Sequence, residues 1–87
     1  MKKVCVQGLG FVGAAMATSI AMARKGNQPI YNVFGIDLLS KIGKERINKL
    51  NAGEFPFKTS DKELNSAVKL NFEEKNFEAS SDANHFS

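Results

Sequence analysis

The sequence contains very few of the side chains from which catalytic and metal centres are usually built. Among its 87 residues there are one cysteine (Cys5), one histidine (His85) and no tryptophan. A single cysteine excludes an internal disulfide, and no cluster of histidines and cysteines has the spacing of a zinc site. A catalytic nucleophile that needs a histidine base could use only His85, which lies in the polar tail near the C-terminus. The composition therefore predicts no catalytic residue and no metal site in the chain.

The sequence also lacks a long hydrophobic run and a strong charge of one sign. No stretch reaches the roughly 18–20 apolar residues that cross a bilayer. The net charge is +3, and the basic residues alternate with acids from Lys41 onward, which is typical of solvated helix faces and argues against nucleic-acid binding. Residues 1–23 superficially resemble a secretory signal, but Gln7 and three glycines interrupt their apolar centre. We expect a cytoplasmic protein that binds neither membranes nor nucleic acid.

The first half of the sequence predicts a strand, a helix and a second strand. The apolar residues 3–7 are typical of a strand that is covered on both faces. Small residues at three- and four-residue spacings predict a helix over 11–24 that packs closely on a sheet. The breaker cluster at 26–29 ends this helix, and a second strand is expected at 30–36. The order of elements indicates an α/β fold.

The second half predicts two helices and a short strand. Apolar residues at near-helical spacing predict a helix over 40–51, with Gly53 as its C-terminal stop. The Ser-Asp-Lys-Glu sequence at 60–63 is a capping-box pattern, and it predicts a third helix that runs to about Leu70. A short strand is expected at 76–80, followed by a polar tail.

Several conspicuous side chains are expected to have structural roles only. Cys5 lies within the first predicted strand, where a buried thiol acts as a small apolar filler. Phe55 and Phe57 flank Pro56 and are expected to close the edge of the core. The charged residues 73–75 are expected to form a solvated turn. We assign none of these residues to a site.

The most informative segment is the glycine-rich turn between the first strand and the first helix. Three glycines form the pattern Gly-x-Gly-x-x-Gly. In such a turn the first glycine permits the tight bend, the second lets the backbone approach phosphates, and the third lets helix and strand pack closely. The N–H groups of the first helical turn then face the negative charge. The pattern predicts a pyrophosphate site that is formed by Gly8, Leu9, Gly10, Phe11, Val12 and Gly13.

Asp37 extends this prediction to a particular cofactor. It follows the second predicted strand, roughly 20–25 residues beyond the last glycine, where a carboxylate accepts hydrogen bonds from an adenosine ribose. A carboxylate there repels a 2′-phosphate and no Lys or Arg directly follows it, so the pattern favours NAD over NADP. A flavin site more often carries Glu at this position, and a methyltransferase has a different glycine spacing. The alternative is a tight turn without a ligand, with Asp37 as a solvated strand end.

The sequence resembles the start of the UDP-glucose/GDP-mannose dehydrogenase family. The similarity covers nearly the whole chain and rests on residues 3–13, 35–37, 45–47, 50–53, 55–56 and 80–82. It implies a partial Rossmann-like domain in which the glycine turn binds the pyrophosphate of NAD and Asp37 binds the adenosine ribose. A basic residue often assists, and here Arg46 is the candidate by motif and Lys41 by distance along the chain. The sequence departs from the family at 57–59, where many members have an acid.

Members of that family oxidise the C6 alcohol of a UDP- or GDP-sugar to a carboxylate with two NAD⁺, through a thiohemiacetal on a cysteine. The resemblance implies a role in polysaccharide biosynthesis. The family's catalytic cysteine and lysine belong to a later substrate domain, and no residue here matches them. Residues 1–87 are therefore expected to be an N-terminal fragment of the NAD-binding domain, which would meet a nucleotide sugar only in a full-length parent.

Two further expectations follow from this interpretation. In the usual strand order the outer edge of the first strand would be left unpaired, which predicts an isolated chain that forms homo-oligomers through that edge. Two alternatives to the interpretation stay open at this point. One is a small non-catalytic module that binds a nucleotide or a partner, and the other is the N-terminal part of a different NAD-dependent dehydrogenase.

Overall fold

The chain folds into both strands and helices. The computed structural model describes residues 2–82, and His85 with most of the predicted polar tail lies outside them. The elements in chain order are β1 (Lys2–Gln7), α1 (Phe11–Ala21), β2 (Arg24–Lys25), β3 (Gln28–Pro29), β4 (Tyr31–Ile36), α2 (Lys41–Asn51), α3 (Lys62–Glu74) and β5 (Phe77–Ser80).

The main sheet is parallel and has the strand order β1-β4-β5. Gln7 at the end of β1 lies opposite Ile36 of β4, and Ile36 lies opposite Ser80 of β5. The three carboxyl ends therefore meet at one edge of the sheet, which is where ligands bind in doubly wound α/β folds. This arrangement confirms the predicted α/β, partial Rossmann-like fold. Within residues 2–82, β1 is paired on one side only.

The helix α1 ends earlier than the sequence predicts. Its last residue is Ala21, whereas the pattern predicted helix as far as Arg24. Arg24 instead begins a small antiparallel pair of strands, β2 and β3, which turns at Gly26 with a φ of +64°. The Arg24 guanidinium donates to the Ala21 carbonyl at 2.6 Å. It thereby satisfies one of the carbonyl groups that the helix end leaves without an N–H partner.

The helix α2 agrees with its prediction at both ends. Ser40 is its N-cap, and the Ser40 hydroxyl accepts a hydrogen bond from the Gly43 N–H at 3.0 Å. Gly53 follows the C-cap residue with a φ of +80°, a conformation that glycine adopts without steric cost. The predicted extent of this helix and its predicted stop at Gly53 are confirmed, and the Ser40 cap is an addition from the structure.

The helix α3 begins and ends later than predicted. Asp61 is its N-cap, and the carboxylate accepts from the Leu64 N–H at 3.0 Å, so the predicted capping box was wrong by one position. The helix continues to Glu74 instead of stopping near Leu70. Residues 73 and 74, which were predicted as part of a turn, are exposed and form the end of the helix. Lys75 follows as the C-cap residue with a φ of +58°.

The extension of α3 has a cause in the tertiary structure. Asn71 is 2% exposed and donates from its side chain to the Thr18 carbonyl of α1 at 3.2 Å. This contact ties the last turns of α3 to α1, and such tertiary contacts override local helix signals. The adjoining strand β5 was predicted at 76–80 and is confirmed at Phe77–Ser80.

The core lies between the helices and one face of the sheet. Val33 of β4 and Ala79 of β5 are buried on this face, against residues of α1, α2 and α3. Phe55 is 8% exposed within the core and Phe57 packs against it, which confirms that the two rings close its edge. Strand residues alternate between faces, and Cys5 belongs to the other face.

The exposure of Cys5 corrects two expectations. The free thiol is exposed, and only every second residue of β1, at 4 and 6, is even partly buried. The prediction of a strand covered on both faces, with Cys5 as a buried filler, was therefore wrong. The reason is that the helices of residues 2–82 pack on the face that carries Val4 and Val6.

Candidate functional site

The glycine turn joins the end of β1 to the start of α1. Gly8 has a φ of +87°, a conformation that side chains of L-residues rarely adopt. Its N–H donates to the Ile36 carbonyl at 2.8 Å, so the turn remains attached to the end of β4. A Cβ added at Gly13 would overlap the Gly8 carbonyl oxygen. The chain itself thus requires glycine at the first and third positions of the motif.

Gly10, the second glycine, is different because no neighbouring protein atom would obstruct a side chain at this position. A Cβ added there would have no neighbour within 4 Å. Gly10 is the N-cap of α1, and no side chain caps the helix. The first intrahelical bond runs from the Ala14 N–H to the Gly10 carbonyl at 2.8 Å, and the preceding N–H groups lie at the positive end of the helix dipole. The open space beside Gly10 is therefore suited to an anion.

Leu9 has its side chain in the core and its backbone in the site. The side chain is fully buried and lies so close to Gly35 that a Cβ added there would come within 2.8 Å of it. The Leu9 N–H donates to the Asp37 carboxylate at 3.2 Å. The sequence prediction included Leu9, and the structure gives it a backbone role in joining the turn to Asp37.

Asp37 lies at the carboxyl end of β4 with a side chain that is 8% exposed. One carboxylate oxygen accepts from the Leu9 N–H, and the other accepts from the Leu38 N–H at 2.7 Å. The Asp37 N–H donates to the Ser80 carbonyl at 3.1 Å, which also connects it to the end of β5. The carboxylate is thus fixed at the edge of the sheet beside the glycine turn.

Arg46 reaches Asp37 from the middle of α2. Its Nη1 atom lies 3.3 Å from the Asp37 Oδ2 atom. Its guanidinium also lies over the ring of Phe57, 5.3 Å from the ring centre. Lys41, the other predicted basic candidate, is an exposed residue at the start of the same helix. The structure therefore brings Arg46 to Asp37, as the motif predicts, and leaves Lys41 on the surface.

Three aromatic rings connect the turn to the segment that follows α2. The ring of Phe11 packs edge-on against Phe55 at 5.5 Å and tilted against Phe57 at 5.6 Å between centres. Phe55 and Phe57 are 5.8 Å apart. Phe11 remains 47% exposed, so one part of its ring faces solvent at the first turn of α1. We call these three residues the aromatic cluster.

A cleft of about 450 Å³ opens at the carboxyl ends of the parallel strands. Asp37 forms part of its wall, next to the two exposed leucines Leu38 and Leu39. The complete lining is Gln7, Gly8, Ile36, Asp37, Leu38, Leu39 and Ser81. The cleft thus combines a carboxylate, the first glycine of the turn and an apolar wall at the edge of the sheet where α/β folds bind ligands.

Comparison with known families agrees with this geometry. Residues 2–86 match the NAD binding domain of the UDP-glucose/GDP-mannose dehydrogenase family. The chain belongs to this family. A comparison with curated proteins found no significant match. The family match covers the turn, the cleft and the helix that carries Arg46, and it confirms the resemblance on which the sequence interpretation was based.

Three residues of this dehydrogenase-family domain support the site and were not predicted to do so. Gly35 makes room for Leu9, and a Cβ added at Gly43 would overlap the Leu38 carbonyl oxygen. Asn51 exchanges two hydrogen bonds with the backbone of Ala79, at 2.9 and 2.8 Å. An isolated glycine inside an apolar strand or a helix indicates that another part of the chain packs closely against its backbone. The sequence does not show which part of the chain this is.

Two further properties concern the described part of the domain. Within residues 2–82, no group of three or more His, Cys, Asp or Glu side chains is placed to hold a metal ion. None of the helices in this range has the length and hydrophobicity of a membrane-spanning segment.

Proposed function

We propose that this chain binds NAD as the cofactor-binding part of a nucleotide-sugar dehydrogenase. The observation that carries the proposal is the bond from the Leu9 N–H to the Asp37 carboxylate. It places a group that can accept hydrogen bonds from a ribose directly beside a glycine turn that leaves space for a pyrophosphate. Membership of the family supports the same cofactor.

The cofactor fits what the residues of the site offer. The open space at Gly10 and the uncapped start of α1 would receive the pyrophosphate, with N–H groups from Phe11, Val12 and Gly13 as donors. Asp37 would accept hydrogen bonds from the adenosine ribose, with Arg46 beside it. Leu38 and Leu39 would supply an apolar wall for the adenine. When bound, NAD accepts a hydride; the residues of this chain bind and orient it.

The reaction of the parent enzyme is part of the proposal. We propose that a full-length parent oxidises the C6 alcohol of a UDP- or GDP-sugar to a carboxylate, in cytoplasmic polysaccharide biosynthesis. Its sugar-binding and catalytic groups would come from a separate substrate domain. Cys5 is assigned no catalytic role, because it lies within β1 and a thiol alone does not make a site.

The outer edge of β1 supports a proposal about association. Within residues 2–82 this edge has no paired strand, and an unpaired edge presents N–H and C=O groups to another strand. We propose that the isolated chain forms homo-oligomers through it. Sedimentation of the chain as a monodisperse monomer would contradict this.

A titration with NADH tests the proposed cofactor. We expect NADH to bind to the unsubstituted chain, with binding measured by the change in nicotinamide fluorescence. We expect Gly10→Val to abolish this binding, because a valine side chain would fill the space beside the turn. Ser19→Val is the matched control, since Ser19 is exposed on the same helix and away from the motif. No binding at millimolar NADH, or equal binding by Gly10→Val, would overturn the proposal.

A further inference from the structure

We infer that Phe57 is a positioning residue for the proposed cofactor, because its ring holds Arg46, and through Arg46 the Asp37 carboxylate, beside the glycine turn. The inference rests on the proposed function and extends it to a side chain outside the cleft. The described lining of the cleft includes Asp37 but neither Phe57 nor Arg46. Both side chains would therefore act on the cofactor only through the groups that line the cleft.

The Asp37 carboxylate is oriented by hydrogen bonds to both of its oxygens. Oδ1 accepts from the Leu38 N–H at 2.7 Å, and Oδ2 accepts from the Leu9 N–H at 3.2 Å. Arg46 adds a third bond, from its Nη1 atom to Oδ2 at 3.3 Å. An ionised carboxylate has about four acceptor positions. The contact with Arg46 therefore keeps Oδ2 bonded to the protein and leaves Oδ1 with capacity for a ribose hydroxyl.

Phe57 restricts the side chain that makes this third bond. The Arg46 guanidinium lies over the Phe57 ring, with its carbon atom 5.3 Å from the ring centre, which is within the range of a cation–π contact. Arg46 is 29% exposed, and a long, partly exposed side chain loses rotamer freedom when it pairs with a carboxylate. The ring beneath the guanidinium removes part of that freedom before the ion pair forms. Without the ring, we expect Arg46 to contact Asp37 for less of the time.

The ring of Phe57 also contacts the first turn of α1. Its centre lies 5.6 Å from that of Phe11 and 5.8 Å from that of Phe55. Phe11 is the first residue of α1, and its N–H is one of the donors proposed for the pyrophosphate. One ring therefore contacts both the start of this helix and the arginine that orients the ribose acceptor. This double contact fixes the spacing between the two parts of the site.

The first test is NADH binding by Phe57→Leu and Phe57→Tyr. Leucine keeps an apolar side chain at the edge of the core but has no ring beneath the guanidinium, whereas tyrosine keeps the ring. We expect Phe57→Leu to weaken NADH binding by roughly 5-fold, which corresponds to the loss of one partly exposed cation–π contact. Phe57→Tyr should restore most of the affinity, because a tyrosine ring also attracts a cation. Circular dichroism melting curves establish that each variant is folded.

Two other phenylalanines separate positioning from stability. Phe72 is 45% exposed on α3, which carries no predicted site residue, so Phe72→Leu is the matched control and should leave NADH affinity unchanged. Phe55 is 8% exposed in the core, and Phe55→Leu should lower the melting temperature more than Phe57→Leu while weakening NADH binding less. If Phe57 only stabilised the fold, the loss of NADH affinity would follow the loss of stability, and Phe55→Leu would bind NADH more weakly.

A second measurement needs no nucleotide. Protons above the face of an aromatic ring resonate at higher field, so the Arg46 side-chain N–H signal of the isotope-labelled chain should move to lower field in Phe57→Leu. The signal should stay in place in Phe57→Tyr, and its loss in Arg46→Met assigns it.

The double variant with Phe57→Leu and Arg46→Met tests whether the ring acts through the guanidinium. In a chain that already carries Arg46→Met, Phe57→Leu should cost much less NADH affinity than it does in the unsubstituted chain, because two residues that act through one contact have non-additive effects.

The outcomes separate this inference from the proposed function. An unsubstituted chain that does not bind NADH contradicts the proposed function, and the inference fails with it. If the unsubstituted chain binds NADH, equal binding by Phe57→Leu overturns the inference alone, and so does a Phe57→Tyr that binds as weakly as Phe57→Leu. An unmoved Arg46 signal, or an undiminished effect of Phe57→Leu in the Arg46→Met chain, also overturns it.

Discussion

The glycine turn and the segment at residues 37–57 form two walls of one site, and they are held in different ways. In the turn, backbone geometry explains the first and third glycines, since Gly8 has a positive φ and a side chain at Gly13 would overlap the Gly8 carbonyl. In the other wall, Arg46 meets Asp37 and lies over the Phe57 ring only because α2 and the connector after it pack there. One wall depends on local conformation and the other on tertiary packing.

The largest effect is expected at the turn, from Gly13→Ala. The new methyl group would overlap the Gly8 carbonyl oxygen, so strand and helix would have to separate. We expect a loss of about 3 kcal/mol or more in the free energy of unfolding, measured by urea denaturation. Gly10→Ala is the control, because its Cβ has open space, and it should cost about 1 kcal/mol or less. Equal costs for the two variants would contradict the local explanation.

The next largest effect is expected at Asn51, which holds the far end of α2. Asn51→Ala would leave the N–H and the carbonyl of Ala79 without their side-chain partner. We expect a loss of about 2 kcal/mol in stability, measured in the same denaturation experiment. Asn48→Ala, at an exposed position of the same helix, should cost little. A similar loss of stability in both variants would show that the hydrogen bonds from Asn51 to β5 do not stabilise the position of α2.

Two helix caps offer a matched comparison of intermediate size. Ser40 caps α2 and Asp61 caps α3, each through one hydrogen bond of 3.0 Å. Ser40→Ala and Asp61→Ala should each cost about 1 kcal/mol in stability. Only Ser40→Ala should also weaken NADH binding, because α2 carries Arg46 and α3 carries no predicted site residue. If Asp61→Ala weakened NADH binding as much as Ser40→Ala, the expected difference between α2 and α3 would be contradicted.

The smallest effect on stability is expected at Arg46 itself. Arg46→Met should cost about 0.5 kcal/mol, since the side chain is partly exposed and both the ion pair and the contact with the ring are weak at such sites. The loss should shrink at high salt as the ion pair is screened. Lys41→Met should cause no measurable change. A loss of stability as large as that of Asn51→Ala would mean that Arg46 stabilises the fold as well as the site.

The sequence predicted the parts of the molecule that depend on local chemistry. The glycine turn, the position of Asp37 and both ends of α2 follow from residues within a few positions of one another. The resemblance to the family offered Arg46 by motif and Lys41 by distance as basic residues that assist at the ribose, and the residues alone did not show which of them contacts Asp37. Its 3.3 Å contact with Asp37 depends on how α2 packs on the sheet.

The features that the sequence did not predict depend on distant contacts. Asn71 of α3 bonds to the Thr18 carbonyl, and no local pattern reveals that this helix must continue past Leu70. The exposure of Cys5 is equally invisible, because an apolar strand does not show which of its faces the helices cover. The cap of α3 moved by one residue because Ser60 and Asp61 are both good caps.

The proposed function requires NAD to occupy the space between the glycine turn and Asp37. The most direct test is to add NADH to the isotope-labelled chain and to follow its backbone amide signals by NMR. We expect shifts in the signals of Phe11, Val12, Gly13 and Leu38, and none in the signals from the middle of α3. Binding without shifts at these residues, or no shift at millimolar NADH, would contradict it.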